Sequence, residues 1–143
     1  MTKLAFIGLI SGLFLSFTSC VEEEPKIVPD VYVYISLNLD LPSYNALNSV
    51  NNAIKIPNEG YNKNGVIVYR YSMEEFYAFD ATCPQHIDVS TSVNLDDNGT
   101  AGTATCPHCQ TVYYFASLGY PSSGYALKRY SVSFSGRIVT VSN

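Results

Sequence analysis

The chain has 143 residues, 47% of them hydrophobic, which suffices for one core of ordinary size and leaves no room for a second large domain. Eight Lys and Arg against twelve Asp and Glu give a formal charge of −4, which excludes the basic footprint of a nucleic-acid binder. Twelve Tyr and seven Phe without any Trp, among many Val, Ile, Thr and Ser, favour strands over helices.

At the N-terminus, Lys3 supplies a positive charge, Leu4 to Phe17 form an apolar run, and Thr18-Ser19 place small residues before Cys20. This resembles the lipobox of bacterial lipoproteins. The resemblance implies that residues 1–19 are a signal peptide and that Cys20 is lipidated and becomes the first mature residue. It also implies a cell-envelope location, periplasmic or surface-exposed, with membrane attachment through the lipid on Cys20. An ordinary signal peptide or an uncleaved anchor are the alternatives, and the apolar run is short for a bilayer-crossing helix. Residues 20–30 carry Glu22, Glu23, Glu24, Pro25 and Pro29, cannot form a core, and read as an acidic extended tether. Acidic residues directly after a lipidated cysteine resemble the surface-export signals of some Gram-negative lipoproteins, the alternative being a plain solvated linker.

The foldable domain is expected over residues 31–143. Val31, Val33, Ile35, Leu37 and Leu39 alternate with Tyr32, Tyr34, Ser36 and Asn38, the pattern of a half-buried strand. Ser43 to Leu47 suit one or two helical turns behind Pro42, and Ala53 to Pro57 a short strand. Asn58 to Gly65 carry turn chemistry. Val66 to Tyr71 is a nearly continuous apolar run, expected of a strand covered on both faces, and Glu75 to Ala81 is its partner in a hairpin. A further strand is expected over Val89 to Leu95, then a turn at Asp96-Asp97-Asn98-Gly99 and a return over Thr100 to Thr105. Thr111 to Phe115 is another strand, and Ala116 to Gly124 a Gly-, Pro- and Ser-rich loop. Leu127 to Phe134, Ser135-Gly136 and Arg137 to Ser142 make a closing hairpin. Such spacing, with almost no helical periodicity, predicts a small all-β sandwich or barrel.

Two short motifs stand apart from this scaffold: Cys83-Pro84-Gln85-His86 and Cys106-Pro107-His108-Cys109. Nineteen residues separate them, enough for a hairpin that brings them side by side. Two ligands three residues apart on a tight turn can face one ion, and a second such turn completes four-coordination. The spacing is close to that of a zinc ribbon. With Cys20 consumed by lipid, Cys83, Cys106 and Cys109 remain, an odd number for a disulfide framework outside the cytoplasm. A metal held by those three and His86 accounts for every thiol. His108, between two ligand cysteines, is expected to face solvent.

Here the chain resembles the Rieske-type proteins over about its last 75 residues. Ala78-Phe79-Asp80-Ala81-Thr82-Cys83-Pro84 matches that family's approach to its first cluster loop, and Cys106-Pro107 its second. Thr111 stands where the family has Ser, and Tyr113 where it has Tyr or Phe. Gly119, Gly124, Ala126, Leu127 and Tyr130 resemble its loop and closing hairpin, with Tyr125 in place of a common Pro. The resemblance implies a small Rieske-like β sandwich or barrel bearing a rubredoxin- or zinc-ribbon-like two-knuckle cluster-binding subdomain. It also implies a 2Fe-2S cluster, one-electron transfer and a redox protein partner. The departures fall on the ligands: Gln85 occupies the first histidine position with His86 displaced by one, and Cys109 the second with His108 one residue early.

Three readings follow. Cys83, His86, Cys106 and Cys109 hold a 2Fe-2S cluster; or they hold one structural zinc; or no metal binds, Cys83 pairs with Cys106 or Cys109, and the domain is a non-redox envelope binding module. Thr111 and Tyr113 can donate hydrogen bonds to sulfur around the cofactor, or pack as ordinary strand residues. No Ser-His-acid or paired-carboxylate arrangement supports hydrolytic chemistry, and a closed four-ligand site leaves no position for activating water.

Overall fold

The computed structural model describes residues 27–143. The expected signal peptide, the lipidation at Cys20 and the first part of the tether lie outside the described residues. Of the tether's last residues, Val28 is buried, and Asp30 pairs with Lys128 at 2.8 Å, so this end lies against the domain.

Among the described residues, ten strands form two antiparallel sheets. β1 (Tyr34–Asn38), β2 (Ala53–Ile56), β3 (Val66–Arg70) and β4 (Phe76–Asp80) come first in the chain. β5 (Asn94–Leu95), β6 (Thr103–Thr105), β7 (Val112–Tyr114) and β8 (Tyr120–Pro121) follow, then β9 (Arg129–Ser135) and β10 (Ile138–Ser142). The large sheet has the order β1-β10-β9-β4-β3-β2; the small one runs β5-β6-β7-β8. Helical structure among the described residues is confined to short 3-10 segments such as Pro42–Asn48 and Pro84–His86. The all-β expectation holds.

Strands β3 and β4 divide two cores. Val66, Val68, Phe76 and Ala78 face one core with Val33, Ile35, Leu37, Leu39, Val139 and Val141. Ile67, Tyr69 and Phe79 face the other with Val93, Ala104, Tyr113, Phe115, Leu127, Cys83 and Cys106. Burial on both faces explains why Val66 to Arg70 reads as an unbroken run rather than an alternating one. Arg70, inside that run, is buried with its guanidinium donating to the carbonyls of Leu47, Ser72 and Met73.

The closing hairpin turns at Gly136-Arg137, both with positive φ, the signature of a two-residue type I′ turn, one residue later than expected. The strand expected over Val89 to Leu95 is shorter. Ser90 donates to the His86 carbonyl and has a φ of 53°, so the chain is still turning there, and pairing begins at the Thr82–Ser92 bridge and Asn94.

The small sheet is locked to the large one at several points. Lys55 on β2 donates to Ser92 Oγ at 2.5 Å and to the Val93 carbonyl at 2.7 Å. Gly99, at φ 92°, lies so close under the Ala53 carbonyl that any side chain would collide with it. Phe79 and Phe115 stack at 5.5 Å across the shared core.

Candidate metal centre

The first loop leaves β4 through Ala81 and Thr82. The Thr82 amide donates to Asp80 Oδ1 at 2.8 Å, and the Cys83 amide donates to the Thr91 carbonyl at 2.9 Å. Pro84 then starts a 3-10 turn, where its fixed φ fits and its missing N–H is not needed. The second loop is the tip of the β6–β7 hairpin. It closes with the Cys106 amide on the Thr111 carbonyl and the Gln110 amide on the Cys106 carbonyl, both at 2.9 Å. Closing so tight a tip drives Gln110 to φ 60°, a left-handed conformation in which a side chain is strained.

These loops bring the sulfurs of Cys83, Cys106 and Cys109 together, each within 4.8 Å of the others. Cys83 and Cys109 are 3.7 Å apart. Cys83 and Cys106 are fully buried, whereas Cys109 is half-buried and reaches the rim. The Tyr113 hydroxyl lies 3.1 Å from Cys83 Sγ, and the Thr111 hydroxyl 3.1 Å from Cys109 Sγ. Both residues thus stand in hydrogen-bond range of sulfur, where the sequence left ordinary packing open.

The thiols differ in acidity. Burial pushes the Cys83 thiol up to about 12, outweighing the Tyr113 hydroxyl that favours its thiolate. Burial also opposes ionisation of Cys109, but the hydroxyl and amide of Thr111 and the neighbouring thiols overcome it and leave Cys109 below its usual value. Tyr113 is held in its protonated form, first by burial and then by its bond to Cys83.

His86 does not belong to the convergent group: its ring nitrogens are not within 4.8 Å of all three sulfurs. Its ring meets that of His108 instead, edge-on at 4.9 Å between centroids. His108 is exposed, the position its place between two cysteines implies. Gln85 plays a part that its sequence did not signal. Its side-chain amide donates to the Tyr125 carbonyl at 2.8 Å, tying the first loop to the Gly-rich one. Gly124 has φ 99° and lies against that amide, with no room for a side chain.

The donor set fits a metal that prefers sulfur. Three thiols converge, two are dry, no carboxylate among the described residues joins the group, and hydroxyls are aimed at two sulfurs. Three of the four positions of a tetrahedral site are thereby supplied.

No family model matches the chain, and no curated protein matches it by sequence. Solved structures similar to it include the ferredoxin of carbazole 1,9a-dioxygenase from Nocardioides aromaticivorans IC177. That likeness has 15% identity and a TM-score of 0.47, covering 78% of this chain and 97% of the other. A second is a chain from the complex of reduced oxygenase and oxidized ferredoxin in carbazole 1,9a-dioxygenase. It has 17% identity and a TM-score of 0.48, covering 78% of this chain and 92% of the other.

Proposed function

We propose that the chain is a Rieske-like one-electron carrier of the bacterial cell envelope, attached to the membrane by lipid on Cys20. A 2Fe-2S cluster would be held by Cys83, Cys106 and Cys109, with His86 as the fourth ligand. The reading rests on one observation, the convergence of three thiols at the tips of two neighbouring β-loops. The cluster would supply the one-electron couple. The protein's part is to keep Cys83 and Cys106 dry, to aim the hydroxyls of Tyr113 and Thr111 at sulfur, and to brace the first loop through Gln85. To take the fourth position His86 would have to leave its ring contact with His108. A redox protein would dock at the rim where Cys109 and the two imidazoles lie.

The 3.7 Å between Cys83 and Cys109 favours a second reading. Two thiolates about 2.3 Å from one tetrahedral ion sit about 3.8 Å apart. Cys83, Cys106, Cys109 and His86 would then hold a single structural zinc in a non-redox binding module.

Metal and sulfide analysis with electron paramagnetic resonance, on protein purified anaerobically, separates the two. Iron and sulfide in equal amounts with a signal on reduction support the cluster; one zinc per chain without sulfide supports the second reading; neither metal removes both. A third thiolate in place of an imidazole adds negative charge and disfavours the reduced state. The cluster potential is therefore expected below the Rieske range of about −150 to +300 mV, and a value in its upper part would exclude this ligand set.

A further inference from the structure

Metal ligation is one use of the three thiols, and their arrangement carries a second that does not depend on it. Cys106 and Cys109 have the Cys-x2-Cys spacing of dithiol redox motifs, which by itself points to those two as partners. The structure distributes them differently. Cys106 is fully buried beside Cys83, while Cys109 alone of the described cysteines reaches the rim, with its sulfur 3.7 Å from Cys83 Sγ. A disulfide has its sulfurs about 2.05 Å apart, so Cys83 and Cys109 must close by less than about 2 Å to bond. Cys109 sits on the hairpin tip between exposed His108 and exposed Gln110, the latter in its left-handed conformation, so the movement falls at the edge of the core rather than inside it.

We propose that the metal-free chain is a two-electron thiol–disulfide exchange centre acting on external disulfides, with Cys109 the attacking and Cys83 the resolving thiol. Cys109, as thiolate, forms a bond to one sulfur of the substrate disulfide. The substrate S–S bond breaks, and its other half leaves as a thiolate that takes a proton from water. Cys83 then loses its proton as its sulfur bonds to Cys109 Sγ. The bond between Cys109 and the substrate breaks, and the second half leaves as a thiol. Two protein thiols and one substrate disulfide become one protein disulfide and two substrate thiols, with two electrons passing to the substrate. The Thr111 hydroxyl, 3.1 Å from Cys109 Sγ, positions the attacking sulfur at the rim, and Cys106 remains reduced beneath the pair. The disulfide removes two donors from any metal, so exchange and metal loading exclude each other.

The test uses the whole chain, reduced and stripped of metal, exposed anaerobically to glutathione disulfide, quenched in acid, alkylated and peptide-mapped by mass spectrometry. Mapping keeps Cys20 apart from the three domain cysteines. The expected product is a Cys83–Cys109 disulfide with Cys106 alkylated. The Cys83→Ala chain should accumulate glutathione on Cys109, and the Cys109→Ser chain should lose adduct formation. Prior loading with zinc should suppress all of it in the unaltered chain. A Cys106–Cys109 or Cys83–Cys106 disulfide, or thiols that stay reduced when the unfolded chain oxidises, would overturn the assignment. Both of those readings come from the unaltered chain, so a variant that fails to fold leaves the test decisive. Failure here leaves the metal centre standing, and absence of metal leaves the exchange centre standing.

Discussion

Two buried polar centres sit three residues apart where the chain leaves β4, and they are finished to different degrees. Asp80 is fully buried, and every strong demand it makes is met: it accepts from the Tyr61 amide at 2.7 Å, the Thr82 amide at 2.8 Å and the Tyr130 hydroxyl at 2.6 Å. Gly60 packs so closely against it that any side chain there would collide with Asp80 Oδ2. Cys83, at the same depth, meets one tyrosine hydroxyl and two other sulfurs, of which Cys109 has a hydroxyl partner of its own in Thr111. A carboxylate surrounded by donors is complete without a ligand. A group of thiols turned toward one another has donor capacity left over, and that surplus marks it as a place for chemistry rather than for stability.

The sharpest way to break this contrast is Asp80→Ala. It strands two backbone N–H groups and the Tyr130 hydroxyl in the interior, and is expected to cost about 3 kcal/mol or more in denaturant unfolding. Truncating any one domain cysteine in the metal-free chain should cost clearly less; an equal cost would mean that the thiols too are structural. Metal should reverse the order. At about one hundred times its dissociation constant, bound zinc adds about 2.7 kcal/mol to unmodified chain, readable as a raised melting temperature that Cys109→Ser abolishes. Because ligand thiols must lose protons, that gain should shrink as pH falls.

Alkaline pH sharpens the same comparison. Cys83 is held neutral in the fold, up to about 12, against an ordinary value of 9.0. The unfolded chain therefore ionises first, and the stability tied to this thiol, intact below about pH 9, is lost progressively toward about pH 12. Unfolding midpoints should fall more steeply across that window in the unaltered chain than in Cys83→Ala. Ultraviolet thiolate absorbance should rise in separated steps, the earliest absent from Cys109→Ser. Tyr113→Phe removes the hydroxyl facing Cys83 and should cost about 1 kcal/mol. It should also lower the potential of an iron-loaded centre, whereas a merely packed tyrosine would leave the potential unmoved. The smallest effect belongs to Gln110→Gly. Glycine relieves a left-handed conformation worth about 1 kcal/mol and returns part of that as unfolded-state freedom, for a net gain below about 1 kcal/mol.

Much of this was legible in the sequence, and what was not has identifiable causes. The alternation from Val31 to Leu39, the apolar run from Val66 and the two cysteine motifs each carry a local signal, and each corresponds to an element or loop in the structure. The boundary of β5 was not legible, because a turn held by the His86 carbonyl runs through residues whose side chains look like strand. The roles of Asp80 and Arg70 were hidden for another reason. Each ends an apolar strand, and its partners include groups far away in sequence, Tyr130 for Asp80 and the Leu47 carbonyl for Arg70, which no local pattern announces. For His86 spacing gives the interval and not the rotamer: three residues from Cys83 suits a shared ion, and in the metal-free fold the ring rests against His108.

The route of the chain through β4 and β9 has a final consequence. These strands are neighbours, paired at Ala78–Tyr130 and Phe79–Arg129, and the Asp80 amide donates to the Lys128 carbonyl at 2.8 Å. Residues 81–128 therefore leave and rejoin the large sheet at one clasp, like a cassette in a frame. Substitutions within the cassette need not disturb the pairing that closes the frame. Within the cassette, the two loops that carry the thiols hang between fixed ends, so their tips can be altered without unpairing β4 from β9.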